Sequence, residues 1–155
     1  MKYRMLSREQ FEELHEEFAL FLASQEIDQT EWKDIKINRP KIAQQEMEVF
    51  SDMVWDRVLE NATFLDHIGL NSLNLFKRDK DDFHRILLKV ERTEFDLSKE
   101  ADFKWLMDNL KSEEVTIYKA KKKFEGEFKE EFFSLIEKGA VLSKGDLFIA
   151  LSDYI

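Results

Sequence analysis

The longest regular pattern in the sequence runs from Pro40 to Glu60 and has the period of an α-helix. At about 100° per residue its apolar positions cover an arc of roughly 280°, which leaves a narrow acidic edge of Asp52, Asp56 and Glu60. A helix on a protein surface needs an apolar stripe only a little over about 100° wide. We therefore expect a core helix that other elements enclose on nearly every side.

Two helices are predicted before this core helix. Ser7 and Gln10 have the spacing of a capping box, and apolar residues follow them at helical period. Asp28 and Glu31 have the same spacing at the start of a shorter helix. The only proline, Pro40, predicts that this shorter helix ends just before it and that the core helix begins there.

After residue 61 the apolar period changes from 3.6 to 2, which is typical of strands. Four strands are predicted, at residues 62–68, 73–77, 83–91 and 115–121. In the third, two sets of side chains alternate between the faces: Ile86, Leu88 and Val90 on one, and Arg85, Leu87 and Lys89 on the other. A helix predicted from Ser98 to Leu110 makes the connection to the fourth strand long enough for parallel pairing.

Two further helices are predicted near the C-terminus, one ending at Gly139 and one beginning at Ser143. With 43% apolar residues and 14 phenylalanines, the chain has ample material for a packed core. The sequence therefore predicts a single α+β domain over residues 1–155. It has N-terminal helices around a long core helix, a four-stranded mixed and mostly antiparallel sheet, and two C-terminal helices.

Charge and composition exclude several classes of function. The formal net charge of −9 argues against non-specific binding to nucleic acid or to anionic membranes, which needs a positive surface. The absence of cysteine excludes disulfides, thiolate metal sites and cysteine nucleophiles. No apolar run is long enough to span a membrane and no signal peptide is visible, so we expect a cytoplasmic protein.

Catalytic motifs are absent from the sequence. The four glycines are isolated, so no loop can cradle a phosphate, and Glu12 with His15 is a single pair where a di-metal bundle needs two. We predict no catalytic, cofactor-binding or metal-ligating residues and no cofactor. The candidate residues for a pocket between core helix and sheet are Ser51, Trp55 and His67.

Most of these candidates have plain structural explanations. A serine buried in a helix, such as Ser51, usually bonds the carbonyl four residues earlier. Asp66 and His67 are consecutive on a predicted strand and therefore point to opposite faces, which excludes a dyad. The acidic edge of the core helix is typical of a solvated edge near Lys or Arg from elsewhere; a functional acid pair is the alternative.

Lys119, Lys121, Lys122 and Lys123 form the one basic cluster, flanked by Tyr118 and Phe124. Lysines protect strand edges from pairing with other chains, and we favour this interpretation over binding of single-stranded nucleic acid.

The last predicted helix has little polar surface, which indicates burial in the core or a self-association surface. The candidate interface residues are Leu147, Phe148, Leu151, Tyr154 and Ile155.

Several short motifs together resemble, over nearly the full length, a family of small uncharacterised bacterial proteins, a domain of unknown function. They are residues 1–4, 15–18, 21–23, 50–55, 64–68 and 139–141. The resemblance implies a stand-alone domain and carries no activity, cofactor or site residue.

Three hypotheses about function follow from the sequence. The leading one is a non-catalytic protein-interaction or regulatory domain that binds a protein partner or forms a homodimer. The second is a small enzyme or ligand-binding protein that uses the pocket named above. The third is an acidic mimic of nucleic acid, built on the glutamates of the first helix. We expect no membrane association and no direct nucleic-acid binding.

Overall fold

The structure is a computed structural model that describes residues 1–155. The chain divides into two compact units, Met1–Glu60 and Asn61–Ile155. The first consists of helices and the second of a sheet with three helices, so the predicted α+β class is confirmed. The single domain expected from the sequence stays a prediction.

The first unit contains four helices. They are α1 (Arg8–Glu13), α2 (His15–Ser24), α3 (Gln29–Asn38) and α4 (Pro40–Glu60). Both predicted N-caps are confirmed: Ser7 closes a capping box with Gln10, and the Asp28 carboxylate accepts from the Glu31 N–H. The first predicted helix is interrupted at Leu14, which separates α1 from α2.

The core of the first unit is aromatic. The Phe50 ring of α4 lies 5.0 Å from the ring centroid of Phe18, 5.5 Å from that of Phe21 and 6.0 Å from that of Phe11. Trp32 of α3 meets Phe18 edge to face at 5.3 Å. Aromatic pairs at these separations add to the stabilisation that burial of their area provides. Phe50 therefore joins α4 to α1 and α2.

The expectation that α4 is enclosed on nearly every side is wrong. Val49, Met53 and Val58 are 52%, 45% and 36% exposed, although all three belong to the apolar arc. The buried positions are a narrower set, Ala43, Phe50, Ser51, Trp55 and Leu59. A helical wheel shows how much of a helix is apolar, but not how much of it its neighbours cover.

The second unit contains five strands and three helices. They are β1 (Phe64–Ile68), β2 (Ser72–Asp79), β3 (Asp82–Val90), α5 (Glu100–Asp108), β4 (Val115–Lys123), α6 (Phe128–Glu137), β5 (Val141–Ser143) and α7 (Asp146–Tyr154). The strand order is β4-β3-β2-β1-β5, and every neighbouring pair is antiparallel.

The sheet therefore differs from the predicted four-stranded mixed sheet. The additional strand, β5, has only three residues, too few to show a period of two. β4 is antiparallel to β3 because the connection leaves and re-enters the sheet at the same end, where Val90 pairs with Val115. The Glu91 N–H donates to the Glu114 carbonyl at 2.8 Å and closes that connection.

The two faces of the sheet are covered differently. On one face, apolar residues of β2 and β3 pack with Leu106 of α5 and with Phe148 and Leu151 of α7 in the main core. On the other, Phe132 of α6 lies 6.0 Å from Phe83 between ring centroids. Since α6 is a short helix, it covers only part of that second face.

Candidate functional site

The predicted pocket residues belong to different units. Ser51 and Trp55 lie one helical turn apart on α4 in the first unit, and His67 lies on β1 in the second. Ser51 is fully buried, and Trp55 is 8% exposed. No cluster of three or more His, Asp or Glu side chains is arranged to hold a metal ion.

The Ser51 hydroxyl forms hydrogen bonds with two backbone groups, one as donor and one as acceptor. Its hydroxyl donates to the Met47 carbonyl at 2.7 Å, which confirms the predicted bond to the residue four positions earlier. Its oxygen also accepts from the Leu6 N–H at 3.0 Å, inside the protein. Ser51 is therefore used to hold the N-terminal segment, residues 2–6, against α4.

The acidic edge of α4 holds the same segment. The Asp52 carboxylate accepts from the backbone N–H groups of Lys2 and Tyr3, at 2.7 and 2.9 Å. Asp56 accepts from the Tyr3 hydroxyl at 3.1 Å and lies 3.9 Å from the Lys2 ammonium. Burial and the bond to Asp56 raise the pKa of the Tyr3 hydroxyl. Both carboxylates of this edge therefore have partners within the fold. Lys2 is the basic neighbour that the interpretation as a solvated edge expected.

Trp55 is covered by the N-terminal segment as well. The Arg4 guanidinium lies 4.9 Å from the centroid of the Trp55 ring, within the range of a cation–π contact. The candidate residues on α4 thus share one partner, which is the beginning of the chain itself.

His67 packs against a glycine. A Cβ atom added to Gly139 would lie 2.9 Å from His67 Nε2, so only glycine leaves room for the ring. Gly139 also has φ of +116° after the end of α6, and the Ala140 N–H donates to the Leu135 carbonyl. This bond is part of a Schellman motif, and the helix end predicted at Gly139 is confirmed. The His67 ring therefore fits the end of α6 closely.

Asp66 lies on the opposite side of β1 from His67. Its carboxylate accepts from the Ser143 hydroxyl at 3.0 Å, and the Ser143 oxygen accepts from the Gly145 N–H at 3.1 Å. Burial raises the pKa of Asp66; the Ser143 bond opposes this rise and nearby Asp146 adds to it. The Asp66 carboxyl is therefore easier to protonate in the folded protein than in the unfolded chain.

Replacing Asp66 with asparagine is expected to stabilise the protein at neutral pH. Because the folded pKa is raised, the stabilisation that this group provides is complete below its unfolded pKa and is lost as pH rises through the folded pKa. Asparagine cannot ionise and can still accept from Ser143. The difference in melting temperature between Asp66→Asn and wild type should therefore be near zero at acidic pH and positive at pH 7.

The exposed Asp153, changed to asparagine, is the matched control and should show no such pH-dependent gain. A variant at Asp66 that is less stable than wild type at neutral pH would contradict the account.

The predicted interface residues on α7 are divided between core and surface. Phe148 and Leu151 are 5% and 2% exposed and belong to the main core, and Leu147 is partly buried against it. Tyr154 and Ile155 are exposed. Most of the apolar character of α7 is therefore used within the second unit.

A further candidate surface is the part of the sheet that α6 leaves open. We call it the open sheet face; it consists of Asn74, Arg85, Leu87, Lys89, Tyr118, Ala120 and Lys122. Pairing brings these residues together from β2, β3 and β4: Leu87 lies opposite Tyr118, and Arg85 lies opposite Ala120. Arg85, Leu87, Lys89, Tyr118 and Ala120 line a shallow groove of about 340 Å³.

This face is positively charged in an acidic protein. Of the eight Lys and Arg residues of strands β2, β3 and β4, three lie on the open sheet face, namely Arg85, Lys89 and Lys122, whereas the net charge of the whole chain is −9. Both aspartates of these strands, Asp79 and Asp82, alternate onto the other side of the sheet, where Asp82 pairs with Lys121 at 3.2 Å. The open sheet face therefore contains cations and no carboxylate.

Arg85 is held in a fixed position on this face. Its Nε and Nη2 atoms both donate to Asn74 Oδ1, at 3.0 and 2.6 Å. A guanidinium has five N–H donors, so three remain for a ligand. Tyr118 is 53% exposed beside it. The arrangement can bind an anionic group next to an apolar one.

Parts of this face were predictable from the sequence, but their position side by side was not. The alternation along β3 predicted that Arg85, Leu87 and Lys89 share one side of this strand. Tyr118 and Lys122 were identified separately, in the basic cluster. The missing information was the antiparallel pairing of β3 with β4, which puts these two sets side by side. The predicted edge position of the lysine cluster is confirmed, since β4 is the outermost strand.

A model of a protein family of unknown function, DUF6495, matches residues 1–155, so the chain belongs to that family. The resemblance found from the sequence is thereby confirmed for the family. No curated protein and no solved structure matches the chain. None of its helices has the length and apolar character needed to cross a membrane.

Proposed function

We propose that this member of the DUF6495 family is a non-catalytic protein-interaction domain that binds an acidic segment of a protein through the open sheet face. The observation that carries the proposal is the set of three exposed cations on this face, Arg85, Lys89 and Lys122, with both carboxylates of strands β2, β3 and β4 directed to the other side of the sheet. An acidic segment would complement it.

Net charge does not oppose such binding. At physiological ionic strength exposed charges further apart than about 8 Å are largely screened, so the local patch decides which ligand binds. Arg85 and Lys89 are four residues apart on β3, a Cα separation of roughly 13 Å, with Leu87 midway between them. This spacing suits carboxylates on either side of an apolar side chain.

Binding should be measured by the fluorescence anisotropy of a labelled peptide of repeated Glu-Glu-Leu. We expect binding that weakens with added salt. Arg85→Glu combined with Lys89→Glu should weaken it at least about tenfold, since two attractive contacts become repulsive, and tenfold corresponds to about 1.4 kcal/mol.

The control is Lys104→Glu combined with Lys111→Glu, which changes net charge equally at two exposed positions outside the strands. It should bind the peptide as the wild type does. Equal weakening in both variants, or tighter binding of a single-stranded oligothymidylate than of the peptide, would contradict the proposal.

A further inference from the structure

We infer that the acidic segment bound by the open sheet face is helix α2 of a second copy of this chain. The inference rests on the proposed function, because it names the partner of the same face. It is carried by an exposed apolar residue on an acidic helix that matches the apolar centre of a basic groove.

The outer surface of α2 has the required pattern. Leu20 is 72% exposed, so its side chain is available for contact with another molecule. Glu16 and Glu17 lie one turn before it, at the i−4 and i−3 positions, so all three share one face of the helix. Helices α1 and α2 together carry five glutamates and one arginine, a net charge of −4.

The open sheet face has the reverse pattern at a similar spacing. Leu87 lies two residues from Arg85 and from Lys89, which is about 6–7 Å along a strand. Residues four apart on a helix have Cβ atoms about 5–6 Å apart. Leu20 seated on Leu87 and Ala120 would therefore bring Glu16 within reach of one of the two flanking cations.

A protein helix suits this face better than nucleic acid does. Binding of a single strand relies on successive bases stacked on several aromatic side chains. The open sheet face offers one exposed aromatic residue, Tyr118, beside the aliphatic Leu87 and Ala120. An apolar side chain flanked by carboxylates uses all of these residues.

The contact joins two different patches of the chain. It is made twice in a two-fold dimer, or it is made head to tail and generates a ring or an open filament. Both possibilities are salt-sensitive self-association, and both make the same prediction for charge exchange.

Sedimentation velocity on the full chain tests the inference with two charge-reversed variants. The sheet variant is Arg85→Glu with Lys89→Glu, and the helix variant is Glu16→Lys with Glu17→Lys. We expect wild type to self-associate at low salt, and each variant alone to associate at least about tenfold more weakly. An equal mixture of the two variants should associate again, because each then offers the complement of the other.

Leu20→Ala provides a variant without a change of charge. Its side chain is exposed, so the fold should be unaffected while self-association weakens. Circular dichroism and thermal melting check that each variant is folded. Wild type that stays monomeric at low salt, or a mixture no more associated than its components, would overturn the inference.

The acidic peptide separates this inference from the proposed function. The helix variant keeps the open sheet face, so it should bind the Glu-Glu-Leu peptide even when it is monomeric. Peptide binding without self-association of wild type would overturn the inference and support the proposed function. Self-association that charge exchange restores, without peptide binding, would support the second copy and limit the face to that partner.

Discussion

Replacing Gly145 with alanine is expected to lower the free energy of unfolding by roughly 2–5 kcal/mol, which combines the cost of a left-handed backbone with that of overpacking. Gly145 precedes α7 with φ of +83°. A Cβ atom there would lie 2.5 Å from the Phe64 ring, well inside van der Waals contact. Thermal or chemical denaturation measures the loss, which for a chain of this length corresponds to roughly 5–15 °C in melting temperature.

Two controls test whether the loss of stability comes from the backbone conformation and the contact at Gly145. Gly126 has no heavy atom within 4 Å of an added Cβ, so Gly126→Ala should change the stability little. Adding Phe64→Ala to Gly145→Ala should recover the steric part of the loss and leave the conformational part, which a double-mutant cycle separates. An alanine at position 145 that is tolerated as well as one at 126 would show that this contact is not a constraint.

Replacing Ser51 with alanine is expected to cost about 1–3 kcal/mol, the penalty for leaving a buried donor without an acceptor. The donor is the Leu6 N–H, which bonds the Ser51 oxygen. The loss of stability should be greatest in the N-terminal segment, residues 2–6, which this bond holds against α4. Tryptic cleavage after Arg4 should therefore accelerate more than global unfolding does.

The matched control for Ser51→Ala is a substitution at Ser134, an exposed serine of α6. Ser134→Ala also replaces a helical serine, and its effect should stay within about 0.5 kcal/mol, as is usual for surface substitutions. If both variants lost the same stability, helix propensity rather than the Leu6 bond would be the cause.

Much of the fold was predictable because local signals determine it. The caps at Ser7 and Asp28, the bounds of α4, and the turn at Gly139 depend on residues within a few positions of one another. Alternation along β3 correctly assigned its two faces. These features need no knowledge of the distant chain.

Two errors are local: the first predicted helix breaks at Leu14, and the last helix begins at Asp146, since Ser143 lies in β5. The other errors lie where distant segments meet. The exposure of Val49 and Met53 depends on how far the neighbours of α4 extend, which no helical wheel contains. The direction of β4 depends on where the connection from β3 returns. The open sheet face depends on both strand order and pairing, so its residues could be identified individually and not as a site.

The partners of the polar residues on α4 could not be predicted for a related reason. Ser51, Asp52 and Asp56 looked available because the sequence does not show that residues 2–6 bind them. Ser51 and Asp52 accept from the backbone N–H groups of Lys2, Tyr3 and Leu6, and these long-range contacts have no side-chain signature. Nearly any residue can supply a backbone N–H donor, so no sequence motif indicates which residue does.

The segment between β3 and β4 combines a loop-like connection with part of the main core. Its ends meet where Val90 pairs with Val115, and Arg92 forms an ion pair with Glu114 beside them. Strands β3 and β4 would form an ordinary hairpin without it, and changes in loop length cost little free energy. Yet Leu106 within it is fully buried in the main core. The segment can therefore change in length outside its buried positions, whereas Phe95, Leu97 and Leu106 must be kept or replaced by other side chains that fill the core.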